Sequence, residues 1–142
     1  MESIKYITPF ISVTGQIQPE DMASIAAAGF VTVINNRPDA EAEEQPSSVQ
    51  MAEAAGIAGL QYHYLPIISG QLTDENVSDF AQLLTGVKGP VLAFCRSGTR
   101  SCSLWALSEA HRLTPSAVLV AAKNAGYDLS GLLPRLEQRW AE

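Results

Sequence analysis

The apolar positions of this chain follow two periods. Phe30-Val31-Thr32-Val33-Ile34 and Val91-Leu92-Ala93-Phe94 are nearly continuous apolar runs rich in β-branched or aromatic residues, the pattern of interior strands covered on both faces. A looser alternation from Ile4 to Val13, interrupted by Pro9, suits an edge strand or an extended lead-in, and Gln61-Tyr62-His63-Tyr64-Leu65 suits one more short strand. Elsewhere the spacing turns to three and four. Gln18-Pro19-Glu20-Asp21 opens a helix that buries Met22, Ile25 and Ala26 and ends at Gly29, and Val49 to Ala55 forms a second, ended by Gly56. Thr73 caps a third through Val77, Phe80, Leu83 and Leu84. A fourth, from Ser101 to Leu113, carries Leu104, Trp105, Ala106 and Leu107. Thr114-Pro115-Ser116 starts a fifth, closed by Gly126, and Leu129 to Trp140 supplies the last, with Pro134 near its first turn.

Strands alternating with helices predict an α/β fold, a small and mostly parallel sheet flanked by helices, with a helical C-terminal end. The chain has 142 residues, 46% of them hydrophobic, which suits a single domain over residues 1–142. In such folds ligands gather beyond the carboxyl ends of the strands, so the loops after Ile34, Leu65 and Phe94 share one edge. That edge brings Asn35, Asn36, Arg37, Ser69 and Gln71 towards Cys95-Arg96-Ser97-Gly98-Thr99-Arg100-Ser101.

Charge narrows the partners. A net charge of −6 argues against nucleic acid or an anionic membrane surface, whereas a cationic loop on an acidic body points to a small anion. No apolar run approaches the roughly 20 residues of a membrane-spanning helix. Met1-Glu2-Ser3-Ile4-Lys5 lacks the basic and then apolar layout of a secretory signal, so a cytoplasmic location is expected. Cys95 and Cys102 cannot form a disulfide framework of the secreted kind. Neither zinc-type Cys/His spacing nor a carboxylate cluster for a hard metal is visible, and the chemistry read below calls for no cofactor.

The segment from Cys95 to Ser101 carries that chemistry. A loop between a buried strand and a helix N-terminus has backbone N–H groups without partners, and these can converge on an anion. The helix dipole and the guanidiniums of Arg96 and Arg100 favour the thiolate of Cys95, the reactive form of a nucleophilic cysteine. Gly98 allows the sharp turn that aims the N–H groups inward. A cysteine at a strand end is otherwise commonly buried and inert, but a run holding two arginines, Ser97, Thr99, Ser101 and Gly98 favours a catalytic role. Cys102 reads as a buried helical residue, with resolution of an oxidised Cys95 as its alternative. Arg37 either reaches the site or pairs with Asp39 or Glu41. The acidic run from Asp39 to Glu44 reads as a solvated loop, and Asp74 and Glu75 as dipole partners of a capped helix. His63 and His111 read as structural or exposed, Trp105 and Trp140 as packing residues.

Three features bear on the reaction. Four residues separate Cys95 from Arg100, where the cysteine-phosphatase signature has five. Phe94 stands where such a phosphatase has a histidine. The loop Pro66-Ile67-Ile68-Ser69-Gly70-Gln71-Leu72 has no carboxylate to protonate a leaving oxygen, which ester cleavage needs and sulfane-sulfur transfer does not.

The Cys95 to Ser101 segment resembles the rhodanese active loop, in which the cysteine accepts sulfur as a persulfide. Over nearly its full length, however, including Ser12-Val13-Thr14-Gly15-Gln16, Gly29 to Pro38 and the Cys95 loop, the chain resembles the bacterial family of beta-lactamase-hydrolase-like, phosphatase-like domains. The resemblance implies a dual-specificity-phosphatase type of fold, a role near persulfide metabolism, and a metallo-beta-lactamase-type persulfide dioxygenase as partner. The expectation is a sulfurtransferase. Cys95 would take sulfur from thiosulfate or a small persulfide and pass it to a thiol acceptor, with Arg100 orienting the donor, Arg96 adding field at the rim and the amides of 96–100 around the transferred group. A phosphatase working through phospho-Cys95 is the alternative, and a non-catalytic anion-sensing or docking module is a second one.

Overall fold

Five strands form the sheet in the order β1-β2-β5-β3-β4, in a computed structural model that describes residues 3–142. Met1 and Glu2, at the head of the N-terminal stretch read above, lie outside the described residues. The central strand β5 (Val91–Phe94) pairs in parallel with β2 (Ile11–Thr14) and β3 (Thr32–Asn35), and β4 (Gln61–Tyr64) pairs in parallel with β3. Only β1 (Lys5–Tyr6) runs antiparallel, on the edge beside β2. The stretch from Ile4 to Val13 is therefore a hairpin rather than one edge strand. Its turn is held by Thr8 Oγ1, which accepts from the N–H groups of Phe10 and Ile11 at 3.1 Å each. The second arm is buried throughout because it has a strand on either side.

Helices cover both faces. A 3₁₀ turn over Pro19–Asp21 leads into α1 (Met22–Ala27), which with α2 (Ser48–Ile57) packs Met22, Ile25 and Met51 against Val33, Leu92 and Phe94. The opposite face, with Val13, Ile34, Val91 and Ala93, is covered by α3 (Asp74–Gly86), α4 (Thr99–Glu109), α5 (Pro115–Asn124) and α6 (Leu133–Ala141). Of these α4 is the most enclosed, buried continuously from Ser101 to Ser108.

The caps act where the sequence places them. Thr73 Oγ1 accepts from Asn76 N and Thr114 Oγ1 from Ala117 N, both at 3.1 Å. Three expectations shift. Helix α2 continues through Gly56 to Ile57, and the chain reverses at Gly59, whose φ of +80° suits glycine better than the helical Gly56 position requires. Helix α4 begins at Thr99, two residues earlier than expected, because Gly98 at φ +92° already makes the turn. Trp105 is buried as a packing residue, but Trp140 is 45% exposed because it sits on the last turn of α6, beyond the buried Leu136. No helix among the described residues is long and apolar enough to cross a membrane.

Register decides where a site can form. Thr14 aligns with Phe94, Phe94 with Asn35 and Asn35 with Tyr64, so the parallel strands end in one row. The loops beyond Asn35, Tyr64 and Phe94 leave the sheet at the same level.

Candidate active site

Cys95 is the first residue beyond β5 and is fully buried, while Arg96 and Ser97 are exposed above it. The loop carbonyls turn outward. Gln16 N–H donates to the Arg96 carbonyl at 3.2 Å, and the Tyr127 phenol donates to the Ser97 carbonyl at 3.0 Å. In a trans peptide the N–H points opposite to the C=O, so anchoring the carbonyls outside turns the following amides inside. The Gly98 N–H shows the result, donating to Cys95 Sγ at 3.1 Å. Helix α4 has no side-chain cap, which leaves its first-turn amides unpaired at the loop. Ser97 Oγ and Thr99 Oγ1 instead bond each other at 3.0 Å. Gly98 is required twice over, by its φ of +92° and because any Cβ there would run into the Tyr127 hydroxyl.

Arg100 is held from outside the loop. Nη1 donates to Glu41 Oε2 at 2.7 Å and to the Ile67 carbonyl at 2.9 Å, and Nη2 donates to Glu41 Oε1 at 2.9 Å. Of the five guanidinium N–H donors this leaves the Nε–H and one Nη2 hydrogen, the side-on pair that matches two oxygens of a tetrahedral anion. The group also interacts with the Cys95 sulfur. Its pKa is raised above the ordinary value by Glu41 first, against the opposing effect of burial, with Cys95 adding to the rise. Glu41 Oε1 accepts in addition from Arg37 Nε at 2.9 Å, and Arg37 Nη1 donates to Gln16 Oε1 at 2.9 Å. The hydrogen bond from Arg100 holds the Glu41 carboxyl below its ordinary 4.5 despite partial burial, and Arg37 assists.

The expected site residues divide accordingly. Cys95, Arg96, Ser97, Gly98, Thr99 and Arg100 surround the loop. Ser101 is buried and donates to Asn36 Oδ1 at 2.8 Å, while Asn36 Nδ2 donates to the Leu65 carbonyl at 2.9 Å. These two tie α4 to the loops after β3 and β4, beneath the exposed rim. Asn35 is likewise internal, accepting from Arg37 N at 2.8 Å and donating to the Tyr62 hydroxyl at 2.9 Å. Arg37 pairs with Glu41 and through it reaches Arg100. Ser69 lines a cavity with Arg96 and Arg100, whereas Gln71 is exposed and its N–H closes a turn on the Ile68 carbonyl.

The acidic run from Asp39 to Glu44 is exposed, as expected of a solvated loop, and two of its carboxylates are also engaged. Glu41 is part of the arginine clamp, and Asp39 Oδ1 accepts from Ser48 N at 2.8 Å at the start of α2. Glu43 and Glu44 are exposed as expected. Cys102 is buried, and burial followed by the nearby Cys95 pushes its thiol up to about 12, which suits packing and not thiol exchange. Asp74 pairs with Arg135 at 3.0 Å and Arg139 at 3.6 Å. His63 is half-buried and His111 exposed.

Glu41, Gln16 and Tyr127 were not expected at the site. The pairing of Arg37 with Asp39 or Glu41 was one of the two readings of Arg37, and nothing local marked Gln16 or Tyr127 as neighbours of the loop.

The fold is that of the cysteine phosphatases, in agreement with the dual-specificity type expected from the sequence. Tk-PTP in its active form shares it with a TM-score of 0.75 at 16% identity, covering 99% of this chain and 97% of that one. A candidate phosphatase of Neisseria meningitidis is 31% identical, covers 94% of this chain and 95% of its own, and superposes with a TM-score of 0.84. A beta-lactamase hydrolase-like protein of Agrobacterium fabrum is 35% identical over 133 residues, which are 92% of this chain and 31% of that protein. The chain thus spans about a third of the curated relatives it matches. Residues 3–112 match the family described as the phosphatase-like domain of beta-lactamase hydrolase-like protein, and the chain belongs to that family.

Proposed function

We propose that this chain hydrolyses phosphate monoesters through a phosphocysteine at Cys95. The observation that carries the reading is the Arg100 guanidinium, fixed beside the Cys95 sulfur with two N–H donors left over from its bonds to Glu41 and Ile67. A phosphoryl group needs such a bidentate partner for its equatorial oxygens, because charge spreads over them in the transition state. The likeness to the Neisseria candidate phosphatase supports it further. The thiolate attacks phosphorus, the P–O bond to the leaving group breaks, and the leaving oxygen takes its proton from solvent. Water then attacks phosphorus and breaks the P–S bond, releasing inorganic phosphate and restoring the thiolate. The loop amides and Arg100 hold the oxygens in both steps.

Sulfane-sulfur transfer is the second reading, and one observation favours it. Glu41, the carboxylate nearest the loop arginine, is held anionic and has no proton to give a leaving oxygen.

Intact mass separates the two. Incubation with an aryl phosphate should leave a phosphoryl adduct that Cys95→Ser lacks, with phosphate released catalytically by the unaltered chain. A cyanolysable sulfur after thiosulfate, without phosphate release, would overturn the phosphatase reading in favour of transfer. Saturable anion binding without either adduct would overturn both in favour of a sensing module.

A further inference from the structure

Beside the loop lies an open cavity of about 410 Å³ whose wall includes Arg96, Arg100, Arg135 and the hydroxyl residues Ser69, Thr99 and Ser103. Three arginines and no acidic residue line it, on a chain whose net charge is −6. A cavity of this size holds a small molecule several times larger than one phosphate, since ligand pockets begin at roughly 300 Å³.

The three arginines differ in what they have left to give. Arg100 is committed to Glu41 and Ile67 on one edge and keeps the other for the reacting group. Arg135, reaching in from α6, donates Nη1 to the Leu72 carbonyl at 2.9 Å and Nη2 to Asp74 Oδ1 at 3.0 Å. That fixes its position and leaves Nε–H and two further N–H groups. Its ion pair is weakly committed, because the Asp74 side chain is 82% exposed and water screens it. Arg96 is exposed at the rim, and its backbone carbonyl is anchored on Gln16 N.

We infer that the substrate is a small-molecule phosphate ester bearing a second anionic group, which Arg96 and Arg135 bind in this cavity while the reacting phosphoryl group sits on Arg100. The inference rests on the phosphatase reading and names the class of ester that the site selects. Arg96 and Arg100 stand on the loop and Arg135 on α6, so the cavity takes its cationic groups from two separate elements, with more of them than the reacting phosphoryl group alone requires.

The test is calorimetric binding to the full chain carrying Cys95→Ser. The probes are α,ω-alkanediol bisphosphates, from ethanediol to hexanediol, each against the alkyl monophosphate of the same length. At least one bisphosphate should bind about tenfold tighter than its monophosphate, the gain of one bidentate charge-assisted contact. Arg135→Gln should shrink that gap, and Asp74→Asn, which removes the competing carboxylate, should widen it. A helix α6 merely loosened by substitution would not produce opposite changes at these two positions. The inference is overturned if no bisphosphate outbinds its monophosphate, or if both substitutions move the paired probes equally. Aryl phosphate turnover by the unaltered chain, measured in parallel, separates the two readings. Intact turnover with no gap rejects the second-anion site alone, and loss of turnover together with the phosphocysteine adduct rejects the underlying reaction.

Discussion

Glu41 grips Arg100 end-on, Oε2 on Nη1 at 2.7 Å and Oε1 on Nη2 at 2.9 Å, across 59 residues of sequence. The contact leaves the side-on edge of the guanidinium for an anion and fixes its direction. Glu41→Gln would present an amide N–H₂ to one Nη group and remove the charge shared with Arg37, whose side chain is 7% exposed. We expect kcat/KM on an aryl phosphate to fall about ten- to a hundredfold, and stability to fall by about 1–3 kcal/mol as Arg37 loses its partner. Steady-state kinetics and urea unfolding check both, and unchanged kinetics would show that the clamp is dispensable.

The same carboxylate sets a pH dependence. Its folded pKa is depressed below the ordinary 4.5, with the Arg100 hydrogen bond as the largest cause. For a depressed acid the stabilisation is fully present above the unfolded value and is lost as pH falls through the folded one. The stability difference between the unaltered chain and Glu41→Gln should therefore be constant above the unfolded value and shrink only below 4.5. Denaturant midpoints measured across that range test it. A difference that shrinks near neutral pH would assign the effect to another group.

Tyr127 acts on Cys95 through the loop backbone. Tyr127→Phe removes the donor to the Ser97 carbonyl, a loss of about 1 kcal/mol, and frees that peptide to rotate. Activity should fall while the circular dichroism spectrum stays the same. Gly98→Ala should cost more, since it adds both the strain of φ +92° and the collision with the Tyr127 hydroxyl. Combining the two should recover part of the Gly98→Ala loss, and a double-mutant cycle with no coupling would refute the contact.

On the phosphatase reading, with Glu41 held anionic and Asp74 paired with arginines, water would supply the proton of the leaving oxygen. Turnover should then depend steeply on the leaving group, with nitrophenyl esters fast and alkyl esters slow. A linear free-energy plot across substituted phenyl phosphates measures the slope. A flat plot would reveal a proton donor at the site.

Much of this was legible in the chain. The runs Phe30–Ile34 and Val91–Phe94 marked the interior strands because both of their faces are buried, and local caps such as Thr73 and Thr114 fixed helix starts. The loop from Cys95 to Ser101 was readable as one unit because its residues are contiguous. Glu41 and Tyr127 were not, because each reaches the loop from a distant segment and neither carries a local mark of that contact. The Ile4–Val13 hairpin was misjudged for a related reason. Burial by two neighbouring strands is a tertiary fact, and a weak alternation holding one proline resembles an edge.

Thr14, Phe94, Asn35 and Tyr64 stand side by side at the strand ends, and no fragment shorter than residues 14–94 contains them all. Bringing these positions level requires loop closures between segments far apart in sequence, the slow part of building a parallel sheet. Specific activity therefore counts the molecules that have finished folding. A substitution remote from Cys95 that lowers that count will look, in a rate assay, like damage to the chemistry, and measuring the folded fraction in the same sample separates the two.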